Sequence, residues 1–394
     1  MGVPPPARAE SERLVTKPAN GGVYCLDMPI ARREPGEAES RRMRIERISV
    51  IAPMLNEAAH IELFVADVAA QDFAGDVELI VADGGSTDAS VEKLETASEQ
   101  AGLTLTRVDN PAGGIPHGLN ACLRRARGDL IARLDCHSRY PSNYLSLCAA
   151  AAEETGAWSV GGIIVAHGRT RKERAVACAM DTAFGGIGFY RMFSGGDGLF
   201  SRLAGAFGFP LGRSRRAGAR AEVDTVTYGA FLPLAFERVG LFDESLKVDE
   251  DEEFTMRVRR AGGKVILDPS IHVLYTPRGS LAGVFRQYYE YGRWKVPVLV
   301  KHGQLPNPRA LVPIVFIFSV VALGSAAAST RTARKLLAGE LALYAIASLG
   351  FGGASIRRRG EEWSLLPRVT AVFPTFHLAY GLGMLNGSLR ALRR

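Results

Sequence analysis

Short apolar runs and helical spacings alternate along the first half of the chain. Residues 48–53 are a short apolar run of strand length, and 77–82, 103–108, 130–134 and 160–166 read as further strands. Between them, residues 57–70, 88–100, 117–126 and 143–154 repeat their apolar positions at helical spacing, and Asp88 with Glu92 marks one helix start. Strands alternating with helices of this length predict an α/β fold with a mostly parallel sheet covered by helices on both faces. Ligands of such sheets bind beyond the carboxyl ends of the strands.

A different pattern takes over near the C-terminus. Residues 310–329 carry no charge and are long enough to cross a hydrocarbon core of ~30 Å. Residues 336–356, broken only by Glu340, and 365–385, with Arg368 near their start, are two more apolar stretches. The first reads as a bilayer span, and the other two read as spans or as helices lying in the interface. Arg357, Arg358 and Arg359 favour a cytoplasmic loop, but Arg331, Arg334 and Lys335 then fall on the far side, so the count of basic residues leaves the orientation open.

These stretches explain a mean hydropathy of +0.04. Residues 1–44 are rich in Pro, Arg and Glu, with no apolar core segment. They read as a disordered extension and not as a secretory signal, which leaves the body of the chain expected on the cytoplasmic side of the cell (inner) membrane. The expected organisation is this extension, a soluble domain over residues 45–300, and a membrane-associated region over 301–394 with one to three transmembrane helices.

The net charge is +7, and residues 168–220 alone hold ten Arg or Lys against three acids, with eleven glycines. Such a segment reads as a solvated basic loop or as a surface that meets anions, with Arg213, Arg215 and Arg216 the candidates for a lipid diphosphate. It lacks the interleaved aromatics on which single strands stack, so nucleic acid is not an expected partner. Five cysteines, odd in number and without a C-x-x-C pair, argue for reduced thiols.

Two aspartates stand out in the soluble body. Asp83 ends the second apolar run and Asp135 follows the fourth, and both lead into turn-like sequence. Either could cap the next helix, but two at equivalent strand ends favour a shared cleft. No G-x-G-x-x-G follows the first strand and no G-x-x-x-x-G-K-[ST] occurs, which disfavours a dinucleotide oxidoreductase and a P-loop ATPase.

The stretch Val81-Ala82-Asp83-Gly84-Gly85-Ser86-Thr87-Asp88 resembles the strand-end signature of family 2 inverting glycosyltransferases, which have the GT-A fold. Pro53-Met54-Leu55-Asn56-Glu57 is similar to the family's first-strand turn. Asp135-Cys136-His137 stands where the family carries D-x-D. Phe242-Asp243-Glu244 and Glu250-Asp251-Glu252-Glu253-Phe254 resemble its acceptor-side motifs. The likeness runs from about residue 47 to 294 and is greatest to succinoglycan-type exopolysaccharide glucosyltransferases.

The resemblance implies roles residue by residue. Pro53, Asn56, Glu57 and Asp83 would hold the nucleoside of a UDP-sugar, since a carboxylate accepts from uracil N3–H or a ribose hydroxyl. Gly84 replaces a second aspartate that many relatives have, and Ser86, Thr87 and Asp88 suit a helix cap. Asp135, also on the donor side, would hold a divalent metal, Mn²⁺ or Mg²⁺, that neutralises the leaving diphosphate. His137 either completes that site, favouring Mn²⁺, or hydrogen-bonds a phosphate. Asp251 would be the base that deprotonates the acceptor, with crowding by its acidic neighbours raising its proton affinity. Glu250 would hold the acceptor. Arg293 and Trp294 would border it, or belong to a helix at the membrane surface. Gln287 stands six residues before Arg293, not the three of processive synthases, which disfavours processive polymerisation.

The expected activity is transfer of one sugar, UDP-glucose being the expected donor, to a lipid-linked saccharide in exopolysaccharide or cell-surface glycan synthesis. The rivals are a polyprenyl-phosphate glycosyltransferase, a non-catalytic nucleotide-sugar-binding membrane protein and a nucleotidyltransferase.

Overall fold

A computed structural model describes residues 43–185, 219–303 and 308–393. Most of the N-terminal extension, Cys25 and the triad Arg213, Arg215 and Arg216 lie outside them. Four strands, β1 (Arg47–Met54), β2 (Asp76–Asp83), β3 (Thr104–Asp109) and β4 (Leu130–Arg133), pair in parallel in the order β3-β2-β1-β4. The connecting helices are α1 (Ile61–Ala69), α2 (Ser90–Gln100) and α3 (Ile115–Leu123). Along β1, Ile48, Val50 and Ala52 join a core with α1 and α2, while Ile51 joins a second core with α3. The central strands β1, β2 and β4 are therefore largely buried on both faces, which is why they read as mostly apolar runs and not as alternating ones, while β3 at the edge is half-exposed.

The order matters for the site. The chain moves outward from β1 to β2 and β3, then crosses back to place β4 on the other side of β1. The carboxyl ends of β1 and β4 thus lie side by side at the edge of the sheet where open α/β folds bind ligands in a crevice.

Antiparallel pairs complete the sheet. The two-residue strand β5 (Ser138–Arg139) leads to α4 (Tyr144–Thr155), β6 (Ser159–Ala166) and α5 (Arg171–Met180). Next come β7 (Ala221–Glu222), β8 (Ala230–Phe231), α6 (Pro233–Val239), α7 (Glu250–Arg260) and β9 (Val265–Tyr275). β8 inserts antiparallel between β4 and β6, β9 runs parallel to β6, and β5 and β7 pair antiparallel to β9. The far half of the sheet is thus mixed. Phe231, Phe236, Phe242 and Phe254 pack edge-to-face or tilted beneath it and seat α6 and α7.

The C-terminal helices are α8 (Leu281–His302), α9 (Val312–Ala327), α10 (Arg331–Arg359) and α11 (Leu366–Ala391). α8 and α11 cross with their backbones touching. A Cβ placed on Gly292 would stand 2.0 Å from the carbonyl oxygen of Tyr380, and one on Gly383 would stand 2.0 Å from that of Tyr289. Only glycine admits so close a crossing. α11 also buries Val372, Phe373 and Phe376 against α5. α8 runs from Leu281 to His302 and so crosses residue 300.

The apolar stretches correct one expectation. α9 has 16 helical residues, about 24 Å of rise, and falls short of the span expected of it. α10, with 29 residues, is the described helix long and apolar enough to cross a bilayer. α9 buries none of its side chains, and Val315, Phe318 and Val321 are exposed along it, as are Leu343 and Ile346 on α10.

Candidate active site

The crevice is built from three loops and one helix N-terminus. Asp83 pairs in register with Met54 of β1 and Asp109 of β3. Its carboxylate is buried and accepts from the backbone N–H of Ser86 at 3.1 and 3.3 Å. Ser86, Asp88 and Ser90 do more than start α2. Their side chains accept from the backbone N–H groups of Asn56, Ala58 and Glu57, at 2.9, 3.2 and 2.7 Å, and so lock the first-strand turn to the second. In return Asn56 Oδ1 accepts from Thr87 N at 2.9 Å. Pro53, Asn56 and Asp83 are thereby gathered at one edge of the crevice.

Glu57 reaches from the first-strand turn to the Asp135-Cys136-His137 loop. Its Oε1 lies 3.0 Å from His137 Nδ1. That contact, outweighing burial, holds the imidazole above its usual protonation range. A carboxylate on one ring nitrogen aims the other at a ligand, as histidines that bind metals commonly show. Asp135, 15% exposed, keeps its Oδ1 buried without a hydrogen-bond donor. This orphaned oxygen and the oriented imidazole fit a divalent cation. Among the described residues no group of three His, Cys, Asp or Glu side chains is placed to hold a metal ion, so a cation held here needs further oxygens from substrate or water.

Arg133 ties the centre together, and sequence reasoning passed over it. It closes β4 with its side chain 6% exposed. Its Nη2 lies 3.0 Å from Glu250 Oε1 and 3.6 Å from Asp135 Oδ1, and its Nη1 lies 3.5 Å from Asp251 Oδ2. Three carboxylates from two distant segments therefore meet at one buried guanidinium, as a shared cleft requires. Burial acts against the charge of Arg133, but the three acids outweigh it and hold the guanidinium charged. Its Nε and Nη1 lack hydrogen-bond acceptors.

The acidic run opens α7, where the helix dipole favours negative charge. Burial pushes Glu250 up to about 7 against the pull of Arg133. It pushes Asp249 up to about 7 as well, against the pull of Lys295. Asp251 is the more open of the Arg133 partners on this helix, at 20% side-chain exposure against 5% for Glu250. Its Oδ1 accepts from Glu252 N at 2.8 Å, and Oδ2 points toward Arg133.

Arg293 and Trp294 lie together on α8. Both bond to Glu290 on their own helix, at 3.1 and 3.0 Å, and the guanidinium lies 5.7 Å from the indole ring. Gln287 donates to the hydroxyls of Tyr275 and Tyr291. From α8, Lys295 reaches Asp249 and Glu252 beside Asp251, and sequence reasoning missed it as well. Three residues other than glycine have left-handed backbone among those described: Asn56 (φ 56°), Tyr228 (φ 52°) and Asp249 (φ 68°). Each adjoins this site, Tyr228 through its ring 6.0 Å from Arg133, in keeping with strain that collects where function is built.

Comparison with known proteins agrees with this architecture. Residues 49–210 match the sequence profile described as glycosyl transferase family 2. The succinoglycan biosynthesis protein ExoA of Rhizobium meliloti (strain 1021) is 27% identical over 347 residues, spanning 88% of this chain and 96% of that protein. A dolichyl N-acetyl-alpha-D-glucosaminyl phosphate 3-beta-D-2,3-diacetamido-2,3-dideoxy-beta-D-glucuronosyltransferase of Methanococcus voltae is 23% identical over 285 residues, covering 70% of this chain and 80% of its own. A mannosyltransferase of Pyrobaculum calidifontis, solved with GDP-mannose and Mn²⁺, superposes with a TM-score of 0.58 over 87% of this chain and 88% of its own, at 19% identity.

Proposed function

The chain is a family 2 glycosyltransferase of GT-A fold, and we propose that it transfers one sugar from a UDP-sugar, UDP-glucose first among them, to a lipid-linked saccharide at the cytoplasmic face of the inner membrane. The product serves exopolysaccharide or cell-surface glycan synthesis. The relative named for succinoglycan biosynthesis and the relative named for a dolichyl-linked sugar phosphate support that substrate class. The apolar faces of α9 and α10 support a membrane setting.

The observation that carries the reading is the meeting of Asp135, Glu250 and Asp251 at Arg133. It sets a donor-side carboxylate beside an acceptor-side one. Pro53, Asn56 and Asp83 hold the nucleoside. Asp135 and His137 hold a divalent cation, which supplies charge neutralisation at the diphosphate when bound. Asp251 removes the proton from the acceptor hydroxyl. The hydroxyl oxygen forms its bond to the anomeric carbon from the face opposite the diphosphate, the bond from that carbon to the diphosphate oxygen breaks, and UDP leaves with the electron pair. Glu250, buried against Arg133, holds the acceptor side of the cleft, and Arg293 and Trp294 border the incoming saccharide.

The test is UDP or GDP release by detergent-purified protein from a panel of nucleotide sugars, with membrane lipid extract as acceptor source. Mn²⁺, Mg²⁺ and EDTA are compared, and Asp251→Asn is the control. One donor turned over only with a divalent cation, and lost in Asp251→Asn, is the expected result. Equal release by wild type and Asp251→Asn would overturn the assignment of the base.

A further inference from the structure

Lys295 is a buried ammonium on a helix that otherwise serves to attach the C-terminal region. Its side chain is 7% exposed. Nζ lies 3.1 Å from Asp249 Oδ2 and donates to Glu252 Oε2. Those carboxylates flank Asp251 on either side of the N-terminal turn of α7. Burial lowers the proton affinity of Lys295, and Asp249 and Glu252 outweigh it.

We propose that Lys295 is a positioning residue for transfer: reaching across from α8, it clamps Asp249 and Glu252 and so fixes where the Asp251 carboxylate stands. The proposal rests on the reading of Asp251 as the base. Three observations carry it. First, Asp249 holds a left-handed backbone at φ 68° as the residue that starts α7, without any side-chain cap to the helix. A non-glycine residue in that conformation costs about 1–3 kcal/mol and persists only where its surroundings enforce it. The ion pair to Lys295 is an enforcing contact.

Second, docking of α8 on α7 does not depend on Lys295. Glu253, fully buried, accepts from Lys301 Nζ at 2.8 Å and lies 2.9 Å from His302 Nε2. Trp294 and Val298 pack with Leu246 and Met256 beside it. Lys295 is thus surplus to attachment yet placed at the turn that bears Asp251. Third, the crossing of Gly292 with the Tyr380 backbone lies about one turn before Lys295. The close contact between α8 and α11 therefore sets the height of Nζ. Through this lever, the seating of α11 on α8 reaches the acceptor-activating carboxylate on α7.

The test uses the full-length protein in detergent with the donor identified by the nucleotide-release panel. Lys295→Met is expected to lower kcat for transfer by about 30-fold or more. Donor KM and UDP affinity, which depend on the β1 and β2 loops, should change less than threefold. Removing one partner of a buried pair strands the other charges, so Lys295→Met will also lose stability. The companion Lys295→Met/Glu252→Gln removes one stranded carboxylate and keeps the test open if the single variant does not fold. Recovery of thermal stability in the double variant while kcat stays low supports positioning. Recovery of kcat together with stability shows a merely structural lysine and overturns the proposal, as does a Lys295→Met enzyme within twofold of wild type. Loss of the Asp251 dependence in the wild type itself would instead sink the underlying reading of the base.

Discussion

Arg133 Nη2 lies 3.0 Å from Glu250 Oε1, joining the last residue of β4 to the first residue of α7 across 117 residues of chain. Both side chains are almost wholly buried, so the contact is made where water screens little. Glu250, Asp251 and Asp135 are mutually repulsive without it. Replacing Arg133 with Met should therefore cost stability on the order of 3–5 kcal/mol, the range for a broken buried pair. Arg133→Lys keeps a charge but presents one ammonium where a planar fork now meets three carboxylates. It should retain the fold, measured by thermal unfolding, and lose at least tenfold in transfer rate. A Lys variant with wild-type rate would show that a point charge suffices.

The pair His137–Glu57 makes a prediction about metal. If Glu57 orients the imidazole, His137→Ala should weaken Mn²⁺ binding in the presence of UDP by about 10- to 100-fold, and Glu57→Gln should weaken it by less. Titration of the Mn²⁺ electron-spin resonance signal reads this without turnover. Unchanged Mn²⁺ affinity in His137→Ala would leave Asp135 as the protein's ligand and return His137 to a phosphate contact.

How far the sequence reached depends on which physical signal each element carries. β1, β2 and β4 were legible because both of their faces are largely buried, and each strand is a mostly apolar run bounded by turn residues. β5, β7 and β8 are two residues long, too short to carry any period. The motif residues Asp135, Glu250 and Asp251 were legible as motifs, but their meeting at one side chain was not. It is made by Arg133, which stands inside the apolar run Leu130-Ile131-Ala132-Arg133-Leu134. A charge inside a fully buried strand is itself a signal, since such residues are almost never buried unpaired. Lys295 gave none, because its partners lie more than forty residues away. α11 was legible as apolar but not as packed: an apolar face reads alike whether it meets lipid or α5.

Asn120 illustrates the opposite case, a residue beside the motifs whose work is structural. Its Nδ2 donates to the carbonyl of Phe242 at 2.9 Å, and its Oδ1 accepts from Phe242 N at 3.0 Å. Nδ2 also reaches Glu244 Oε1 at 2.9 Å. The segment Phe242-Asp243-Glu244 is thus pinned to α3 from the side of the chain that carries the donor loops. Asn120→Ala leaves a buried N–H and C=O unpaired, at about 1–3 kcal/mol each. The expected outcome is a clear fall in melting temperature with UDP affinity within threefold of wild type. A variant of unchanged stability would mean that the segment is held by the phenylalanine cluster alone.

Glu250 gives a pH signature whose sign is fixed by its burial. Its carboxyl is pushed up to about 7 in the folded chain, while an unfolded chain has the ordinary value near 4. Between those values the folded state holds a proton that the unfolded state has released. The contribution of Glu250 to stability is therefore fully present below pH 4 and is lost as pH rises through 7. Glu250→Gln is neutral at every pH and cannot lose it. The melting temperature of Glu250→Gln relative to wild type should accordingly climb by a few degrees from pH 5 to pH 8. Asp249, pushed up to about 7 by the same burial, is present in both proteins and cancels in the difference. A difference that stays flat with pH would show that Glu250 remains ionised throughout. Arg133 would then hold a permanent carboxylate, and Glu250 would join Asp251 as a candidate for the proton acceptor.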